Sequence, residues 1–135
     1  MPDQHPLTWR DGTPVSQRFD DPFYALSDGL AETRHVFLDG NDLPARFRLG
    51  FHLAELGFGT GLNLLAVWAL WQRSGQRGPL RMTSFEAFPL GADDMLTAQA
   101  AFPELASQAS ALAPFWRSGA TRIDLPDLQF RIILG

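Results

Sequence analysis

Cysteine is absent from the 135 residues, which excludes disulfide staples and thiolate metal sites. Lysine is absent too: all eleven basic residues are arginine, set against fifteen acids for a formal net charge of −4. Arginine suits bidentate phosphate contacts, but the usual footprint of a nucleic-acid binder is a basic domain. Charge alone therefore announces no RNA partner, and a local patch would have to supply the contact. No apolar run reaches the roughly 18 to 20 residues of a membrane-crossing helix. The opening MPDQHPLTWRDG holds no apolar stretch of a secretory signal. A cytoplasmic chain away from membranes is expected. His5, His35 and His52 lack metal-ligand spacing, and no nucleophile–base pair is recognisable. What remains is a globular composition, 45% hydrophobic, of one-domain length.

Residues 1–50 carry turn formers and little periodicity: Asp11-Gly12, Asp21-Pro22, Asp28-Gly29, Asp39-Gly40 and Pro44. They are expected to form a loop-rich arm with one short helix from Asp28 to about Phe37. The pattern changes at Phe51. Phe51 to Leu56 predicts a short buried strand, a glycine-rich turn follows, and Leu62 to about Arg73 predicts a helix. In that helix Leu62, Leu65, Ala66, Ala69 and Leu70 recur at three- and four-residue spacing. Trp68 and Trp71 widen its apolar surface and are expected to pack rather than to stack on a ligand. Leu80 to Glu86 predicts a second strand. Asp93 to Ala101 and Pro103 to Leu112 predict helices, with Pro103 in a first turn. Thr121 to Leu125 and Leu128 to Leu134 predict strands about Pro126-Asp127. Alternating strands and helices imply an α/β fold with a parallel, Rossmann-like sheet.

The stretch with chemistry in it is Glu55-Leu56-Gly57-Phe58-Gly59-Thr60-Gly61-Leu62-Asn63. Glycines at alternate positions between a strand and a helix let the backbone turn sharply and approach a ligand closely. The turn also opens a helix N-terminus, where amides face outward. Dinucleotide sites use G-x-G-x-x-G around an anionic pyrophosphate. Here the spacing is G-x-G-x-G, and Glu55 stands just before it. A carboxylate repels a pyrophosphate but attracts the sulfonium and ammonium groups of S-adenosylmethionine. Glu86 ends the next strand, where it could accept both hydroxyls of a ribose; dinucleotide sites share that feature, so it argues for a nucleoside without choosing one.

These residues resemble a known family. Asp11-Gly12-Thr13-Pro14-Val15-Ser16, Phe19-Asp20-Asp21, Gly29 through Leu38, Gly40-Asn41, Glu55 through Asn63 and Ser84 through Leu90 occur in family order. Phe102-Pro103-Glu104-Leu105 fits as well. Together they are similar to the methyltransferase domain of the bacterial bifunctional enzymes that make 5-methylaminomethyl-2-thiouridine in tRNA, the MnmC family. The resemblance implies a class I methyltransferase fold moving a methyl group from S-adenosylmethionine to an aminomethyl nitrogen of the wobble uridine, with no metal. It places donor binding on Glu55, Gly57, Phe58, Gly59, Thr60, Gly61, Asn63 and Glu86. Asp20, Asp21 and Tyr24 are candidates for lining the active site. FAD would enter only with a fused oxidase domain, to which nothing here corresponds.

Two departures stand out: Phe23-Tyr24 reverses the family's usual order, and Ala87 replaces a common basic residue. By the resemblance, residues 51–135 form the first half of the methyltransferase domain, cut after its third core strand, and the catalytic residues are expected beyond Gly135. An unpaired edge along Phe51, Leu53 and Leu56 is then expected, with self-association through it. The rival expectations are a nucleotide-cofactor oxidoreductase fragment and an inactive interaction module.

Overall fold

The computed structural model describes residues 7–10, 13–16 and 29–135. Two short strands, β1 (Leu7–Arg10) and β2 (Thr13–Ser16), pair antiparallel on either side of residues 11–12. The expected short helix is present as α1 (Gly29–Glu32), continued by a wider π-turn over Thr33–Leu38 and a 3-10 turn over Asp39–Asn41. Leu30, Leu38, Leu43, Phe47 and Phe51 are buried in the same core as the helices that follow. Phe47 sets its ring edge against both Phe51, at 5.4 Å, and Trp71, at 5.0 Å.

The main sheet holds β3 (His52–Leu56), β4 (Leu80–Glu86), β5 (Arg122–Leu125) and β6 (Leu128–Leu134), in the order β3-β4-β6-β5. β3, β4 and β6 run parallel, as expected of strands joined through helices. β5 runs antiparallel to β6, so the sheet is mixed rather than wholly parallel. Pro126-Asp127 alone separates these two strands, and a two-residue connection can only reverse the chain.

Strand alternation decides which face is covered. Leu80, Met82 and Ser84 of β4, and Leu128 and Phe130 of β6, point inward and are buried. Helices α2 (Leu62–Ser74) and α4 (Ala106–Arg117) bury Leu64, Leu65, Val67, Trp68 and Trp71, and Leu112 and Trp116, in the same cluster. The opposite face is exposed at His52, Ala54 and Leu56, at Arg81 and Phe85, and at Gln129, Arg131 and Ile133. Among the described residues β3 is also the edge strand of this sheet, and it is buried on one face only. Leu56 is 89% exposed and Leu53 half-buried, but Phe51 is tucked against Phe47 and takes no part in an open edge.

α4 runs past the expected stop at Leu112 to Arg117, although Pro114 lies within it. Proline leaves the carbonyl four residues back without its partner. Here that residue, Ser110, is exposed, as is Pro114, so the break falls on the solvent face of the helix. Burial of Leu112, Ala113 and Trp116 holds the last turn in place. Among the described residues, no helix is long and apolar enough to cross a membrane.

Candidate donor-binding site

β3 ends at Leu56 and α2 begins at Leu62, so residues 57–61 must reverse the chain in five steps. Gly57, Gly59 and Gly61 do this with φ of 85°, 59° and 83°, a region that side-chain-bearing residues rarely enter. At Gly57 a Cβ would meet open space, so only the dihedral demands glycine. At Gly61 both reasons apply. A Cβ there would lie 3.0 Å from the Phe58 ring and 3.1 Å from the Gln99 amide nitrogen.

The turn is anchored from three directions. The Gly57 amide donates to the Phe85 carbonyl at 2.7 Å, extending the β3–β4 ladder into the loop. The Gly59 amide donates to Oε1 of Glu86 at 2.9 Å. Gln99, from helix α3 (Ala92–Gln99), reaches under the loop and donates Nε2 to the Thr60 carbonyl at 2.8 Å. Gln99 is buried, and its Oε1 has no partner among the described residues. Gly61 caps α2 without a side chain, leaving its first-turn amides uncapped by residue 61.

Glu86 stands at the mouth of this turn. Its second oxygen accepts the Phe88 amide at 3.1 Å, so the carboxylate straddles the loop and the chain leaving β4. An ionised carboxylate offers about four lone-pair sites; two are used here, leaving capacity for a pair of ligand hydroxyls.

Glu55 has a different setting. It is buried beneath the turn, and both of its oxygens are taken: Oε1 by the Ser84 hydroxyl at 2.7 Å, Oε2 by the Asn63 amide at 3.1 Å. Burial pushes its pKa up from 4.5 to about 7; Ser84 and Asn63 pull the other way, and the nearby charge of Glu86 adds to the rise. Glu55 is therefore a proton-sensitive group under the loop rather than an open carboxylate facing solvent.

The structure thus gathers Glu55, Gly57, Gly59, Thr60, Gly61, Asn63 and Glu86 around one turn. Phe58 belongs to it by backbone only: its buried ring packs against Trp116 at 5.6 Å and Phe130 at 5.3 Å. Asn63 spends its amide on Glu55. Asp20, Asp21 and Tyr24 lie outside the described residues. Trp68 and Trp71 are buried packing residues, and Trp71 donates its indole N–H to the Gly78 carbonyl at 3.2 Å. Sequence reasoning missed Ser84 and Gln99. The only signal for each was a polar residue at an inward position of an otherwise apolar strand or helix face.

No family model matches the chain. The tRNA 5-methylaminomethyl-2-thiouridine biosynthesis bifunctional protein MnmC of Caulobacter sp. (strain K31) is 46% identical over 139 residues, spanning 93% of this chain. The MnmC of Acinetobacter baylyi is 44% identical over 142 residues and 95% of the chain. The chain belongs to the MnmC family. The MnmC of Leptospira borgpetersenii serovar Hardjo-bovis (strain JB197) adds 49% identity over 105 residues, or 73% of the chain. The chain spans only 23%, 23% and 16% of these three relatives, respectively. In fold it is similar to the crystal structure of MNMC2 from Aquifex aeolicus. The TM-score is 0.64 at 19% identity, over 98% of this chain and 43% of that one. The MnmC relatives are, by name, tRNA-modification proteins, and the fold is the α/β Rossmann-like one expected.

Proposed function

We propose that the chain supplies the methyl-donor site of an S-adenosylmethionine-dependent methyltransferase acting in the cytoplasm on the aminomethyl group of the modified wobble uridine in tRNA. The observation that carries this reading is Glu86, hydrogen-bonded to the Gly59 amide at 2.9 Å and keeping lone pairs for a ribose beside the glycine turn. Glu55 supports a cationic ligand over an anionic one. An acid under the loop opposes a pyrophosphate, and a bound cation draws that acid toward its ionised form. S-adenosylmethionine supplies an electrophilic methyl group on a sulfonium.

The chain's own residues then bind and orient. The turn admits the ligand close to backbone, Glu86 fixes the nucleoside, and Glu55 provides compensating charge. In the reaction an N–C bond forms, the donor's S–C bond breaks, and the amine's proton passes to a base outside these residues. Positioning of the two reactants is the main source of acceleration. The tRNA partner follows from the relatives' name, and FAD from none of the residues described.

The test is transfer of labelled methyl from S-adenosylmethionine to tRNA bearing the free aminomethyl group, using this segment joined to the remainder of an MnmC sequence. Label in the methylamino nucleoside is expected. A folded protein that leaves such tRNA unlabelled overturns the assignment.

A further inference from the structure

Ser84 is fully buried at an inward position of β4 otherwise filled by apolar residues, and its hydroxyl is directed at Glu55. It donates to Oε1 of Glu55 at 2.7 Å, while Asn63 on the first turn of α2 donates to Oε2 at 3.1 Å. Three elements, the end of β3, the start of α2 and the middle of β4, thus meet at one carboxylate under the glycine turn. Both donors are neutral. The charged group acting on Glu55 among the described residues is Glu86, on the same strand as Ser84, and it opposes ionisation. Among the described residues, the two hydrogen bonds from Ser84 and Asn63 are what favours the charge on Glu55.

We propose that Ser84 is a positioning residue for donor binding: with Asn63, it holds Glu55 charged and aimed beneath the turn, where a ligand's cationic group is attracted. The inference rests on the donor-site reading above for its ligand, but not for the Ser84–Glu55 link itself. Its consequence is specific. Without the hydroxyl, Glu55 stays protonated to higher pH, and a cationic ligand loses its counter-charge at neutral pH but regains it in alkali. A purely structural role for Ser84 would weaken binding equally at every pH.

The experiment compares the whole chain with Ser84→Ala and with Ser84→Thr, which keeps the hydroxyl. Carbon-13 NMR of labelled glutamate side chains follows the Glu55 carboxyl through a pH titration. S-adenosylmethionine affinity is measured across the same range. The native Glu55 midpoint is expected near 7. In Ser84→Ala it should rise by roughly one pH unit or more, the equivalent of one lost hydrogen bond to a charged acceptor. Affinity at neutral pH should fall about tenfold and recover in alkali, and Ser84→Thr should restore both. An unmoved Glu55 midpoint in Ser84→Ala overturns the proposal, as does an affinity loss independent of pH. If the native chain binds no S-adenosylmethionine, the donor-site reading fails instead, and the Glu55 midpoints still decide whether Ser84 sets that carboxylate.

Discussion

Glu55 and Glu86 are both acids beside one turn, yet their settings give them different work. Glu55 is buried and its pKa stands at about 7 against 4.5 in the open chain. An acid whose folded pKa is raised binds more protons folded than unfolded, so Glu55's own contribution to stability is full below 4.5 and is lost as pH rises to about 7. The loss is on the order of 3 kcal/mol. Glu55→Gln, which has no charge to gain, should flatten that slope in urea unfolding followed across mildly acidic to neutral pH. An unchanged slope would mean that Glu55 is solvated when it ionises. Glu86 is half-buried and, besides anchoring the turn through two backbone amides, keeps lone pairs for the ligand. Glu86→Gln should weaken S-adenosylmethionine binding by roughly ten- to a hundredfold, the loss of one bond to a charged acceptor. Native affinity in that variant would put the ribose elsewhere.

The glycine turn is the element on which the site depends, and its three glycines should not respond alike. Gly57→Ala meets only the left-handed dihedral, costing about 1 to 2 kcal/mol. Gly61→Ala also drives a methyl against Phe58, whose ring cannot retreat from Trp116 and Phe130, so an additional 1 to 3 kcal/mol or so is expected. Thermal melting of the two variants checks the order; equal losses would show that Phe58 and Gln99 yield freely. The turn, α2 and β4 were legible in the sequence because each rests on local signals: alternate glycines, three- and four-residue spacing, and strand alternation. Other elements were not. β1 and β2 flank Asp11-Gly12, a good turn, but LTWR alternates over only four residues and Pro14 interrupts TPVS, so neither stands out as a strand. α4 passes Pro114 because tertiary burial of Trp116 outweighs a local breaker. The side-chain direction of Phe58 and the use of Ser84 and Gln99 depend on contacts 29 or more residues apart in the chain, which no local pattern records.

At the scale of the whole molecule, the sheet has an open side. Leu56, Phe85 and Ile133 face each other across β3, β4 and β6 in register, all exposed, and β3 pairs with a neighbour on one side only among the described residues. An apolar row beside an unpaired strand templates association. The chain should therefore self-associate as its concentration rises, and Leu56→Lys should reduce this, as read by light scattering. A monodisperse native monomer would show that the edge is protected. The account's central claim, however, is that the turn and Glu86 form a site for a cationic nucleoside donor. Amide NMR shift mapping tests it most directly, with S-adenosylmethionine and NAD titrated separately into the chain. Shifts from S-adenosylmethionine should centre on residues 57–63 and Glu86, with NAD producing little change there. A stronger response to NAD at those residues, or shifts from S-adenosylmethionine that miss them, would contradict it.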